Sequence, residues 1–137
     1  KRSAWSEADL IDGPTGAAMV QPYLRAIETE GERSLFWFGG RFSHAIRKVP
    51  QTGDWLANAP GKTRFFAEAP PKAAIEAAES ARARAPADLL YVRIDLVLGD
   101  DGAWRVIEIE AIEPYLFLDF APEGARAFVE SVARVLG

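Results

Sequence analysis

Two short segments place acids in the middle of apolar runs, at a spacing suited to cation chemistry. Arg93-Ile94-Asp95 lies within the run Leu89–Leu98, and Glu108-Ile109-Glu110 lies within Trp104–Ile112. Between them stands Gly99-Asp100-Asp101-Gly102, and Asp-Gly at 101–102 is a favoured pair for a two-residue type I′ hairpin loop. Such a loop predicts Asp95 opposite Glu108 and Arg93 opposite Glu110. Side chains alternate faces along a strand, so these four project from one side, while Val92, Ile94, Leu96, Leu98, Ile107 and Ile109 take the other. Directly opposed like charges destabilise a sheet, which calls for compensation. A divalent ion such as Mg²⁺ fits, being a hard cation that takes a few carboxylate oxygens and completes its shell with phosphate and water. The alternative is an exposed charged face neutralised by Arg93. A loop of odd length would throw Asp95 and Glu108 onto opposite faces and remove the argument.

The elements that must hold this hairpin are legible in outline. Ser3 to Leu10 predicts a short helix, ended by Gly13-Pro14-Thr15-Gly16. Ala17–Leu24 reads as extended, with Pro22 restricting it to an edge or a bend, and Ala26–Glu32 reads as a polar link. Gly39-Gly40 joins Arg33–Phe38 to Arg41–Val49 as a second hairpin. With that loop, Leu35, Trp37, Phe42, His44 and Ile46 share one face, and Ser34, Phe36, Phe38, Ser43 and Ala45 the other. Both faces are largely apolar, so this hairpin is expected to be covered on both sides. Pro50–Lys62 is a loop by composition, Thr63–Ala67 a short strand, and Pro70-Pro71 opens a helix from Lys72 to about Arg84. After an aromatic loop, Pro114–Phe120, Pro122 starts a last helix whose stripe is Ala125, Phe128, Val129, Val132, Ala133 and Leu136. Several hairpins with helices packed on one face make an α+β fold built on an antiparallel sheet.

Composition narrows the function classes. The chain has 137 residues, enough for one core, and no cysteine, which excludes disulfides, zinc–thiolate sites and cysteine nucleophiles. His44 is its single histidine, so a multi-histidine metal site is excluded as well. A net charge of −4 with interspersed signs argues against a nucleic-acid partner, which calls for a basic stripe. No apolar run approaches the ~20 residues of a membrane span and no signal peptide is visible, so a cytoplasmic location is the default. The chain opens Lys1-Arg2-Ser3 and its one methionine is Met19, which reads as a piece or processed portion of something longer.

Four stretches carry a family likeness: Met19-Val20-Gln21-Pro22-Tyr23-Leu24, Glu30-Gly31-Glu32-Arg33, Ser43-His44-Ala45-Ile46-Arg47-Lys48-Val49-Pro50, and Arg93-Ile94-Asp95 with Glu108-Ile109-Glu110. In order and spacing they resemble the C-terminal half of the ATP-grasp superfamily, in its bacterial glutathione synthetase and D-cycloserine-forming branches. Ile112-Glu113-Pro114 and Leu116-Phe117-Leu118 are similar to the cycloserine-type subgroup. The resemblance implies a linker with a short helix over 1–18 and a C-terminal ATP-grasp lobe over 19–137, the other lobes lying upstream. It implies that Val20, Gln21, Tyr23 and Leu24 belong to a hinge strand that binds adenine, with Glu32 near the ribose. Asp95, Glu108 and Glu110 would hold Mg²⁺ (or Mn²⁺), and Arg93 and Lys48 would neutralise the phosphates of ATP. Phosphoryl transfer needs such positioned cations around spreading charge more than it needs a nucleophile. The implied reaction is ATP-dependent amide or peptide bond formation between a small-molecule carboxylate and an amine, through an acyl phosphate.

Two positions depart from the family pattern. Most members have asparagine where this chain has Glu110, and Gly53-Asp54-Trp55 is followed by Leu56 where the subgroup usually has arginine, a contact that Lys62 or Arg64 would have to replace. These departures keep a second reading open, a catalytically inactive binding or regulatory module; a Mg²⁺-dependent hydrolase is a third. His44 reads as a core histidine, and Trp37, Phe36 and Phe38 as packing residues. Tyr115 and Phe117, as loop aromatics beside the carboxylates, are candidates for shaping a substrate pocket. The apolar excess in 33–49 serves either a core or a contact with a second copy. Replacing Asp95 or Glu108 by alanine is expected to remove metal-dependent binding with little loss of fold.

Overall fold

The computed structural model describes residues 21–54, 57 and 61–137. Five strands form one antiparallel sheet: β1 (Glu32–Phe38), β2 (Arg41–Pro50), β3 (Thr63–Ala67), β4 (Tyr91–Leu98) and β5 (Trp104–Glu110), in the spatial order β3-β2-β1-β4-β5. The helices are α1 (Ala26–Thr29), α2 (Lys72–Arg82) and α3 (Pro122–Leu136), with a 3₁₀ turn at Leu118–Phe120. The α+β expectation holds. The expected helix at Ser3–Leu10 and the linker over 1–18 lie outside the described residues, as does the start of the extended stretch 17–24. Residues 21–24 run without regular structure into α1, which replaces the expected polar link. Helix α2 ends at Arg82, two residues short of its expected limit.

The central strand β1 is buried along its whole length because both sheet faces are covered beside it. On one face Leu35, Trp37, Ala45, Val92, Ile94 and Leu96 meet α2, which presents Ala78 with Ile75 and Ala77 beside it. Small alanine side chains let a helix approach a sheet closely, as the composition of α2 predicts. On the other face Phe36, Phe38, Ile46 and Phe117 pack beneath Ala127 and Phe128 of α3. One helix therefore covers each side, as the two apolar faces of the β1–β2 hairpin require, which corrects the expectation that the helices pack on one face only. Each of these large side chains contributes about 1.5–3 kcal/mol on burial.

Helix α3 turns a different face inward from the one its apolar stripe predicts. Gly124 and Ser131 are buried, whereas Val129 is 65% and Leu136 81% exposed. The cause is a close approach at Gly124, where a Cβ would lie 2.7 Å from Nδ1 of His44. That contact aims the line Gly124–Ala127–Phe128–Ser131 at the sheet, and Ser131 is buried at little cost because its hydroxyl donates to the carbonyl of Ala127 at 2.9 Å. Phe117 joins the core beneath α3, while Tyr115 stays largely exposed with its ring edge-on to Phe117 at 4.5 Å.

Both hairpins depart from simple pairing, and both departures decide which face a functional residue takes. The β1–β2 register slips between Phe36 and Trp37, so that Trp37 pairs with Phe42 but Phe36 with His44. Ser43 is the extra residue of this bulge. His44 and Ile46 therefore share a face with Phe36, not with Leu35, and Ala45 changes sides with them. Lys48 follows and comes to lie opposite Glu32. In the β4–β5 hairpin the loop is Asp100-Asp101-Gly102, three residues long, closed by Gly99 N–H to Ala103 C=O at 2.8 Å, with Gly102 at φ +78°. That odd loop would misplace the acids, but the register slips again between Asp95 and Leu96. The bulge at Ile107 restores the pairs Asp95–Glu108 and Arg93–Glu110.

Candidate functional site

The face that carries α3 is divided along its strands. Phe36 and Phe38 of β1 lie under the helix; Glu32 and Ser34 of the same strand and face lie beyond it. Beside them stand Lys48 from β2, Asp95 and Arg93 from β4, and Glu108 and Glu110 from β5. The structure thus brings together six of the residues singled out in the sequence: Glu32, Lys48, Arg93, Asp95, Glu108 and Glu110. Gly31 seats the start of β1 against β2, since at its φ of +78° a Cβ would lie 2.2 Å from the carbonyl oxygen of Lys48. No other residue type tolerates that approach.

Lys48 has no exposed side-chain surface and bridges two acids. Its ammonium pairs tightly with Glu32 and reaches Oδ2 of Asp95 at 3.3 Å. Asp95 also accepts from Arg93, whose Nε lies 3.0 Å from Oδ1 and whose Nη2 lies 2.9 Å from Oδ2. Arg93 continues outward to Glu110 and comes within 4.0 Å of Glu108, which is half exposed. Depth increases from Glu108 through Glu110 to Asp95. One oxygen from each of these three acids lies within 4.8 Å of the other two, a set of hard oxygen donors that suits Mg²⁺ or Mn²⁺. Sequence reasoning missed Ser34, which is fully buried and directly opposite Asp95 on β1. Its only signal was a small hydroxyl residue in an otherwise bulky apolar strand.

Burial and charge set the protonation of the cluster. Burial pushes the Glu32 carboxyl up to about 7, against the pull of Lys48 and with a further push from Asp95. Burial acts on Asp95 in the same sense, but Lys48 and then Arg93 outweigh it and hold its pKa below the ordinary aspartate value. Glu110 is raised, first by burial, with repulsion from Glu108 and Asp95 working against Arg93. Of Glu32, Asp95 and Glu110, Asp95 is therefore the one most firmly kept as an anion.

The remaining candidates lie elsewhere. Val20 is outside the described residues. Gln21, Tyr23 and Leu24 sit on irregular chain before α1, and the Tyr23 hydroxyl donates to Glu28; burial, then this carboxylate, raise its pKa to about 12. Arg64 is on β3 with Phe66, on the face opposite Phe65, which pairs with Lys48; its guanidinium lies 5.7 Å from the Phe66 ring centre and does not join the cluster. Lys62 is exposed just before β3, and Leu56 is outside the described residues. His44 is a packing residue, stacked on Phe36 at 4.3 Å, with Nε2 donating to the carbonyl of Leu116 at 3.0 Å. That bond leaves Nδ1 as an acceptor for the Ser43 hydroxyl at 2.9 Å. Among the described residues no helix is long and apolar enough to cross a membrane.

No family model matches the chain. It is 34% identical over 125 residues to the cycloserine biosynthesis protein DcsG of Streptomyces lavendulae, a match that takes in 86% of this chain and 42% of that protein. The crystal structure of the D-cycloserine synthetase DcsG superimposes with a TM-score of 0.66 at 31% identity, covering 85% of this chain and 42% of the other. The ATP-grasp ligase PsnB, solved with a phosphomimetic variant of its minimal precursor, Mg and ADP, has a TM-score of 0.55 at 21% identity, over 78% of this chain and 34% of PsnB. The D-alanine–D-alanine ligase of Bacillus anthracis, complexed with ATP, shares the fold at a TM-score of 0.50 and 18% identity, over 76% and 38% of the two chains. The chain thus spans less than half the length of each of these proteins.

Proposed function

We propose that this chain, alike to DcsG over most of its length and to ATP-grasp ligases in fold, is the nucleotide- and metal-holding portion of an ATP-dependent carboxylate–amine ligase. The observation that carries this reading is the convergence of Asp95, Glu108 and Glu110 around Arg93, with Lys48 behind them. Asp95, Glu108 and Glu110 would hold Mg²⁺ (or Mn²⁺), which when bound draws charge from phosphoryl oxygens. In this reading Arg93 is the cation that meets the phosphates of ATP directly. Lys48 is wholly buried between Glu32 and Asp95, so its contribution runs through the position and ionisation of Asp95. Segment 20–24 takes the adenine, and Glu32 faces the ribose with the acceptor positions that Lys48 leaves open. The carboxylate substrate takes the γ-phosphoryl group as an acyl phosphate; an amine then displaces phosphate and forms the amide. No enzyme nucleophile is needed, in keeping with a chain free of cysteine. The likeness to DcsG supports small-molecule donors of the carboxylate and the amine.

Calorimetry of the full-length protein with ADP and Mg²⁺ tests the reading. Nucleotide should bind with micromolar-class affinity only when the metal is present, and Glu108→Gln should abolish this with the circular dichroism unchanged. Glu108 is the right probe because it is half exposed, whereas Asp95 holds two buried cations, so its replacement should disturb the fold, contrary to the expectation from sequence. A full-length protein that ignores nucleotide ends the ligase assignment. A second reading, an inactive binding module, draws on Glu110, an extra acid bound to Arg93. It predicts nucleotide binding without ADP release for any pair of carboxylate and amine donors.

A further inference from the structure

Arg93 occupies the place that a cation ligated by the three acids would need. Its Nη2 is 2.9 Å from Oδ2 of Asp95, bonds closely to Glu110, and lies 4.0 Å from Oε2 of Glu108. A single nitrogen therefore reaches one oxygen of every acid in the set. Mg²⁺ binds oxygen at about 2.0–2.1 Å, so an ion held by these carboxylates and the guanidinium in this position exclude each other. We infer that Arg93 competes with the metal for Asp95, Glu108 and Glu110, so that the cation and a polyphosphate bind as a pair and each opposes the other's absence. The inference deepens the proposed function and rests on it.

The charges give the reason. Four carboxylates (Glu32, Asp95, Glu108 and Glu110) share this patch with two cations, Lys48 and Arg93. A polyphosphate arriving alone meets an excess of anions. A dication arriving alone must displace Arg93, whose side chain is only 6% exposed and has no water to retire into. Lys48 already occupies Oδ2 of Asp95 from the other side, so the aspartate cannot hold the dication and Arg93 together. When both ligands arrive, the guanidinium passes from carboxylate to phosphate oxygens, which suit its planar fork equally well. The metal takes the carboxylates it leaves, and no charge is stranded. Coupling of this kind is reciprocal between the two ligands.

The test uses the full-length protein, Mn²⁺ as the probe metal and the variant Arg93→Lys. Lysine keeps the positive charge but loses the fork that spans Asp95 and Glu110, so competition for the carboxylates falls while the long-range field persists. Without nucleotide, Arg93→Lys should bind Mn²⁺ about fivefold or more tighter than the parent, and the gain in Mn²⁺ affinity conferred by ADP should shrink by a similar factor. Equal or weaker Mn²⁺ binding by the variant overturns the inference. Should the variant not fold, the parent labelled with ¹⁵N-arginine supplies the reading. The Arg93 Nε–H signal, protected by its bonds to Asp95, should shift and lose protection as Mg²⁺ alone is titrated. A signal unmoved at saturating Mg²⁺ overturns the inference equally. Failure of ADP to bind under any condition strikes instead at the nucleotide assignment, which the Mn²⁺ comparison does not depend on.

Discussion

The two halves of one sheet face are built by opposite means. Under α3, Phe36, Phe38, Ile46 and Phe117 are held by contact and by exclusion of water. A few residues along the same strands, Glu32, Lys48, Asp95 and Arg93 are buried as deeply, and each is tolerable only because its neighbours carry the opposite charge. Apolar contacts are many and individually small, so that half degrades gradually. The charged half is a closed set in which removing one member exposes the desolvation cost of the others. The difference explains how a stable fold can carry a patch whose groups are poised to exchange partners.

Lys48→Met should break the contrast most sharply. It leaves Glu32 and Asp95 facing each other in a buried site, and a loss of about 3–5 kcal/mol is expected in urea unfolding at pH 7. Adding Glu32→Gln should restore a substantial part of it, since the acid then needs no counter-ion; a double variant no better than the single one would mean that the set is not coupled. On the aromatic side, Gly124→Ala forces a methyl against His44 and should cost about 1–3 kcal/mol, with no change in metal binding. The smallest effect belongs to pH. Burial lowers the pKa of His44 below its ordinary 6.5, partly offset by its bond to Leu116. The folded protein therefore binds fewer protons at this ring than the unfolded chain does. This contribution is intact above pH 6.5 and is lost as pH falls through the unfolded value toward the folded one. Unfolding midpoints at pH 7.5 and 5.5 should show a decline that His44→Phe reduces; an identical decline in the variant would place the acid sensitivity elsewhere.

The chemistry of the site was legible because acids inside apolar strands are conspicuous, and period-two alternation puts Arg93 with Asp95 and Glu108 with Glu110, while the grouping of the two pairs rested on the expected two-residue turn. The pairing itself came out as expected, although the turn has three residues and not two, because the bulge at Ile107 takes up the extra one. Likewise the helical period identified α3, but its inward face was misread. Val129 and Leu136 are more apolar than Gly124, yet only the glycine permits the approach to His44.

By itself the sequence determined the residue types of the site, the α+β class and the strands and longer helices of the described region, all of which rest on local periodicity and turn chemistry. Only the tertiary structure decided on which face Lys48 emerges, that Glu32 is bound to it, and that one nitrogen of Arg93 bonds both Asp95 and Glu110. Each of these depends on a one-residue slip in strand pairing, and a slip inverts every later side chain on that strand. Bulges are set by packing between distant segments, such as Phe36 and His44 beneath α3, and leave no mark in the order of neighbouring residues.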